Sequence, residues 1–164
     1  MTISVRRILV PTDFSEPAAE AKAYATALAD RLGAELHVLH VVVPPVIPFP
    51  DSASSWTMPA TGLRSQVEEA EKLLRDEIAI SSEERRVVSQ VVTGFAVDEI
   101  VNYAEKQDID LIVVGTHGLT GLSHLLIGSV AEKLVRVSTC PVLTVHPKGH
   151  RGRIEASKVS PAHA

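Results

Sequence analysis

Short runs rich in β-branched residues alternate with longer segments of helical periodicity, and this alternation constrains the fold more than any other feature of the chain. "VRRILVP" at 5–11 predicts a first strand. A helix follows, with Ser15 as N-cap, Pro17 in the first turn, and Ala21, Ala25, Leu28 and Leu32 at helical spacing before the stop at Gly33. "AELHVLHVVV" predicts strand two, and a second helix starts at Leu63, with Val67, Ala70, Leu73, Leu74 and Ile78 on the same face. "RRVVSQVVTG", "DLIVVGT" and "CPVLTVH" predict strands three to five. "FAVDEIVNYAEKQ" and residues 128–138 supply the third and fourth helices.

Strands separated by helices imply an α/β fold: an open, five-stranded parallel sheet with helices on both faces. Strands one and four are continuous apolar runs, as expected for strands covered on both sides. The expected order is 3-2-1-4-5, which reverses between strands one and four. In such sheets ligands sit beyond the C-terminal strand ends at that reversal. The segments leaving those strands are "PTDFS" and "GTHGLTG", so topology places Asp13 opposite a glycine loop.

That loop, "GTHGLTGLSHLLIGS" at 115–129, has no lysine, so it is not a P-loop. It follows strand four rather than strand one and lacks the G-x-G-x-x-G spacing of a dinucleotide fingerprint. "GLSHL" lacks the second glycine of a nucleophile elbow. What remains is Gly115 and Gly118, then nine residues, then Gly128-Ser129 opening a helix. The first two glycines allow close backbone approach or a positive φ. The helix start offers free amides and a positive dipole end to an anion, and Ser129 adds a hydroxyl. Each glycine taken singly also fits an ordinary turn or cap.

The pattern Gly115-x2-Gly118-x9-Gly128-Ser129 matches the G-2x-G-9x-G-[S/T] motif of the ATP-binding branch of universal stress proteins. "ILVPTDFSE", "LHVV", "DLIVVGTHG" and "CPVLTV" resemble that family's strand segments in the same order, over roughly residues 5–147. The resemblance implies a Rossmann-like adenine-nucleotide-binding fold. It places Pro11, Thr12 and Asp13 near the sugar and adenine, and gives Asp13 an influence on a divalent metal carried as Mg-ATP. Val41 would meet adenine through its backbone. Gly115, Thr116, His117, Gly118, Leu119, Thr120 and Gly121 would wrap ribose and phosphates. Gly128, Ser129, Val130 and Ala131 would hold the distal phosphates.

Three functional classes follow: an ATP-binding regulatory or stress-response module with an unidentified protein partner, a slow Mg-dependent ATPase, or an interaction protein that binds AMP, a cyclic nucleotide or none. The first is favoured, because no base or positive clamp for a transferring phosphate is evident, and no catalytic residue is assigned.

The remaining features narrow the setting. A net charge of −4 and 4% aromatic residues argue against a nucleic-acid partner or an acidic membrane surface. The single cysteine, Cys140, fits a reducing cytosol, and residues 1–14 carry no signal or lipidation pattern, so a soluble cytoplasmic protein is expected. His37 and His40 are three apart on a strand and should face opposite sides, away from any shared metal. His117 and His124 flank the glycine loop without an assigned role. Residues 43–62, with five prolines plus Trp56 and Met58, are expected to be irregular and to serve either as a lid or partner contact or as a pinned loop. One domain over 1–147 and a disordered tail over 148–164 are expected. Strand five, residues 141–146, is an apolar edge without a charged gatekeeper, which a second copy of the chain would cover as a homodimer.

Overall fold

The computed structural model describes residues 4–44, 60–79, 87–116 and 128–146. Nine elements follow the alternation of the sequence: β1 (Arg7–Thr12), α1 (Glu16–Leu32), β2 (Glu35–Val42), α2 (Ala60–Ala79), β3 (Val87–Thr93), α3 (Ala96–Lys106), β4 (Leu111–Gly115), α4 (Ser129–Val137) and β5 (Val142–Val145). All strand pairs are parallel, and the order is β3-β2-β1-β4-β5. Among the described residues no helix is long and apolar enough to cross a membrane.

Alternation along the central strands builds two cores. Ile8, Val10, Leu36, Val38 and Val113 face one layer, where they pack against Ala21, Ala25 and Ala29 of α1 and Leu74 of α2. Leu9, Leu39, Ile112 and Val114 face the other, against Ile100, Tyr103 and Ala104 of α3 and Ala131 and Leu134 of α4. The strands are therefore apolar on both sides, which is why β1 and β4 read as unbroken apolar runs.

α1 starts and stops as its sequence predicts. The Ser15 hydroxyl accepts from the Ala18 N–H at 3.3 Å, and Gly33 closes the helix at φ 65. Its buried stripe is Ala18, Ala21, Ala25 and Ala29, which lets the helix lie close to the sheet. Leu32, expected on that stripe, is half exposed, as is Leu73 of α2. Both lie at the edge of the apolar arc, where helical spacing cannot tell a flanking position from a buried one. α2 begins at Ala60, inside the stretch expected to be irregular. Its first turn, residues 60–62, holds no large apolar side chain, so periodicity alone starts the helix too late.

One polar cluster lies inside the second core layer. His37 is buried on β2, with Nε2 2.9 Å from Glu35 Oε1 and Nδ1 2.9 Å from the Tyr103 hydroxyl of α3. The carboxylate accepts, so Nε2 carries the proton and Nδ1 accepts from the tyrosine. His40 lies on the opposite face of β2, its ring centroid 4.4 Å from that of Phe14. Burial holds His37 below its ordinary pKa of 6.5; Glu35 opposes that shift and the Arg7 charge adds to it.

The unfolded chain therefore takes up a proton near pH 6.5 that the folded chain resists. Stability from this group is complete above that pH and falls as pH drops toward the folded value. Urea unfolding of wild type should show this decline between about pH 7 and 5, and His37→Gln should flatten it. At pH 7.5 Tyr103→Phe, which leaves Nδ1 without its donor, should cost about 1–3 kcal/mol.

Candidate functional site

The site forms where β1 and β4 part. Glu35 N–H donates to Arg6 O at 2.8 Å, so even-numbered residues of β1 turn their backbone groups toward β2, and odd ones toward β4. Pro11 is odd and has no N–H to offer β4. Pairing between the two strands is accordingly confined to Ile8↔Leu111 and Leu9↔Ile112, whereas β1 pairs with β2 as far as Thr12↔His40. A proline in a central strand would ordinarily disrupt it. Here it coincides with the end of the β1–β4 ladder and the opening of the crevice.

Beyond Thr12 the chain turns sharply. Phe14 has φ 62, a left-handed conformation unusual for an aromatic residue. Its N–H donates to the Thr12 hydroxyl at 3.1 Å. Asp13 Oδ1 accepts from the Ser15 N–H at 3.1 Å and from the Ser15 hydroxyl. Asp13 is half-buried at the mouth of this turn, and Thr12 is buried beneath it.

Val41 sits across from this turn on β2. The alternation that starts with Glu35 continues to Val41, so its backbone groups also face β1. The N–H that parallel pairing would next bring to its carbonyl is that of Phe14, which is bonded to Thr12 instead. The Val41 carbonyl thus looks into the opening between the strand ends. The half-buried Val41 side chain packs against the second core.

The fourth strand ends in a small hub. Thr116 is fully buried. Its N–H donates to Val145 O at 3.0 Å, its hydroxyl lies 3.0 Å from His146 Nδ1, and its carbonyl accepts from the Gly128 N–H. One residue therefore ties the end of β4 to the end of β5 and to the start of α4. Thr116, which follows the motif's first glycine, and Gly128, its last glycine, are in direct contact. Gly128 caps α4 with an extended backbone and, as a glycine, brings no side chain of its own to the first-turn amides of Ser129, Val130 and Ala131. Ser129 is exposed, Val130 half-buried and Ala131 buried. His117, Gly118, Leu119, Thr120 and Gly121 lie outside the described residues, as do His124, Trp56 and Met58.

Gly115 serves a different physical purpose from the one its motif suggests. It does not take a positive φ. A Cβ there would lie 2.8 Å from the Pro17 carbonyl oxygen and 3.1 Å from its carbon, so the glycine is required by the close approach of the α1 first turn. The sequence gives no sign of this contact. It also missed two further members of the site: His40, whose Nδ1 lies 2.8 Å from Thr12 O, and the left-handed Phe14. Among the described residues no three His, Cys, Asp or Glu side chains gather as metal ligands.

Comparison with known proteins places this geometry among relatives. The model of the universal stress protein family matches residues 4–146. Universal stress protein MJ0531 of Methanocaldococcus jannaschii is 36% identical over 144 residues, 85% of this chain and 81% of that protein. The structure of UspA from Lactobacillus plantarum superposes with a TM-score of 0.71 at 25% identity, over 88% of this chain and 99% of that one. A universal stress protein solved in complex with cAMP superposes with a TM-score of 0.64 at 26% identity, over 87% and 98%.

The Gly115 contact yields a direct test. Gly115→Ala should destabilise the fold by about 1–3 kcal/mol, because the obstructing atoms are backbone and cannot swing aside. Thermal unfolding of the variant checks this; an unchanged midpoint would remove α1 packing as the reason for the glycine.

Proposed function

The chain belongs to the universal stress protein family, and on that premise we propose that it binds ATP in the crevice between β1 and β4 and acts as a nucleotide-dependent regulatory module. The observation that carries this reading is the direct contact between Thr116 and Gly128. It sets the end of β4 against the first-turn amides of α4, across from the Val41 carbonyl and the Asp13 turn.

Each part suits one part of the nucleotide. The Val41 backbone offers adenine a carbonyl acceptor, which fits the exocyclic amine. Pro11, Thr12 and Asp13 border the sugar and the base. Gly115 through Gly121 would enclose ribose and phosphates. Gly128, Ser129, Val130 and Ala131 would receive the distal phosphates through amides, the Ser129 hydroxyl and the positive end of α4. Asp13 Oδ1 already accepts both Ser15 donors, which favours a sugar-side role for Asp13 over direct ligation of Mg²⁺. With no lysine in residues 115–129, the phosphate charge is met mainly by neutral donors, an arrangement suited to holding ATP rather than cleaving it.

A cyclic nucleotide is the second reading, motivated by the relative solved with cAMP. Mass spectrometry of whatever small molecule leaves the denatured purified protein separates the two. Gly118→Asp adds bulk and negative charge to the motif and should abolish ATP binding in calorimetry while leaving the oligomeric state intact; wild-type affinity in that variant would refute the placement of the phosphates.

The same family reading supports a homodimer joined through strand five, residues 141–146, and the lone Cys140 fits a cytoplasmic setting. Every residue of β5 is only half-buried, and Val135 and Val137 of α4 are 55% and 52% exposed. A second copy would cover this apolar edge. Sedimentation should show roughly twice the 17.6 kDa chain mass at micromolar concentration, and a purely monomeric species would contradict the assembly.

A further inference from the structure

We propose that His40 is a positioning residue for the nucleotide crevice, and that its hydrogen bond to the Thr12 carbonyl sets the path of the β1–α1 turn. The inference rests on the adenine-binding reading above for its effect on affinity, but its structural part stands apart from that reading.

His40 is the last β2 residue in register with β1, opposite Thr12. Its Nδ1 lies 2.8 Å from the Thr12 carbonyl oxygen. A carbonyl only accepts, so Nδ1 carries the proton and His40 is fixed as a donor. The imidazole lies against the Phe14 ring, centroids 4.4 Å apart and planes 31° from parallel. Phe14 also packs on the first core layer.

These contacts act on one turn, residues 12–14. Parallel pairing would continue by sending the Phe14 N–H to the Val41 carbonyl. Instead the Phe14 N–H returns to the Thr12 hydroxyl, with the backbone in the left-handed region at φ 62. A phenylalanine does not adopt that conformation unaided, so the surroundings must hold it. The His40 N–H anchors the Thr12 carbonyl on one side of the turn, and the ring contact anchors the Phe14 side chain on the other. The outcome is local and specific: the Val41 carbonyl is left facing the crevice, and Asp13 is held at its mouth. Both lie at the proposed adenine and sugar end, and neither lies at the phosphate end. Loss of His40 should therefore weaken recognition of the nucleoside without affecting recognition of phosphates.

Two variants of the full chain separate the contributions. His40→Phe keeps a ring beside Phe14 and removes the donor. His40→Asn places a side-chain N–H near the Nδ1 position and removes the ring. Backbone ¹³C and ¹⁵N shifts report the Phe14 conformation, and calorimetry with adenosine, ATP and inorganic tripolyphosphate reports binding. In His40→Phe, Phe14 should leave the left-handed region, and adenosine and ATP should both weaken by about tenfold while tripolyphosphate is unchanged. His40→Asn should keep the Phe14 shifts and hold adenosine affinity within about threefold of wild type. A left-handed Phe14 in folded His40→Phe would overturn the proposal, as would a lowered melting temperature with adenosine affinity intact. Should His40→Phe fail to fold, His40→Asn decides: loss of the left-handed Phe14 there overturns the role of the donor. Wild type that binds neither adenosine nor ATP would remove the adenine reading of the crevice, and the Phe14 shifts would still decide whether His40 positions the turn.

Discussion

The site depends on the parting of β1 and β4. A parallel sheet whose order reverses at its centre leaves two neighbouring strands with connections that run off to opposite faces. Here the β1–β4 ladder stops at Leu9↔Ile112, two residues before Pro11, the position where β1 has no N–H to give. Everything placed in the crevice follows from that opening: the turn through Asp13 and Phe14 on one side, and the Thr116 hub with the start of α4 on the other. The alanine stripe of α1 and the bare Cα of Gly115 bring the helix down against β4, closing the floor beneath.

The two sides of the crevice are built by different means. The β4 side is rigidified by backbone hydrogen bonds that converge on Thr116, so three elements share one buried residue. The β1 side relies on side chains: the Thr12 hydroxyl, the Ser15 hydroxyl on Asp13, and the imidazole of His40. Backbone convergence gives a fixed platform suited to phosphate. Side-chain clasps can be altered one residue at a time by substitution. The Glu35–His37–Tyr103 cluster lies on the other face of β2 from His40 and couples its pH response to the core rather than to the crevice.

Much of this was legible in the sequence, and the limits have physical causes. Element order and the parallel sheet followed from the alternation of β-branched runs with helical spacing, and the expected strand order 3-2-1-4-5 is the one observed. The cap at Ser15 and the stop at Gly33 followed from side-chain chemistry that acts within one turn. The opposed faces of His37 and His40 followed from the period of a strand. Long-range contacts were not legible. Gly115 stood out as a motif glycine, yet the atoms that exclude a Cβ belong to Pro17, far away in sequence. Nothing in "PTDFSE" marks Phe14 as left-handed, because that conformation is set by Thr12 and His40 rather than by the phenylalanine itself. Leu32 fitted the helical period and still lies at the rim, since periodicity gives a direction and not a depth.

The proposed adenine nucleotide lies between the ends of β1 and β2 and the start of α4. Titration of ATP into uniformly ¹⁵N-labelled protein, followed residue by residue through the amide resonances, tests it most directly. Saturable shifts should concentrate at Thr12, Asp13, Val41, Thr116 and residues 128–131, with the opposite sheet end around Arg7, Asp108 and Asp110 unmoved. Shifts absent from that set, or gathered at the Arg7 end, would contradict it.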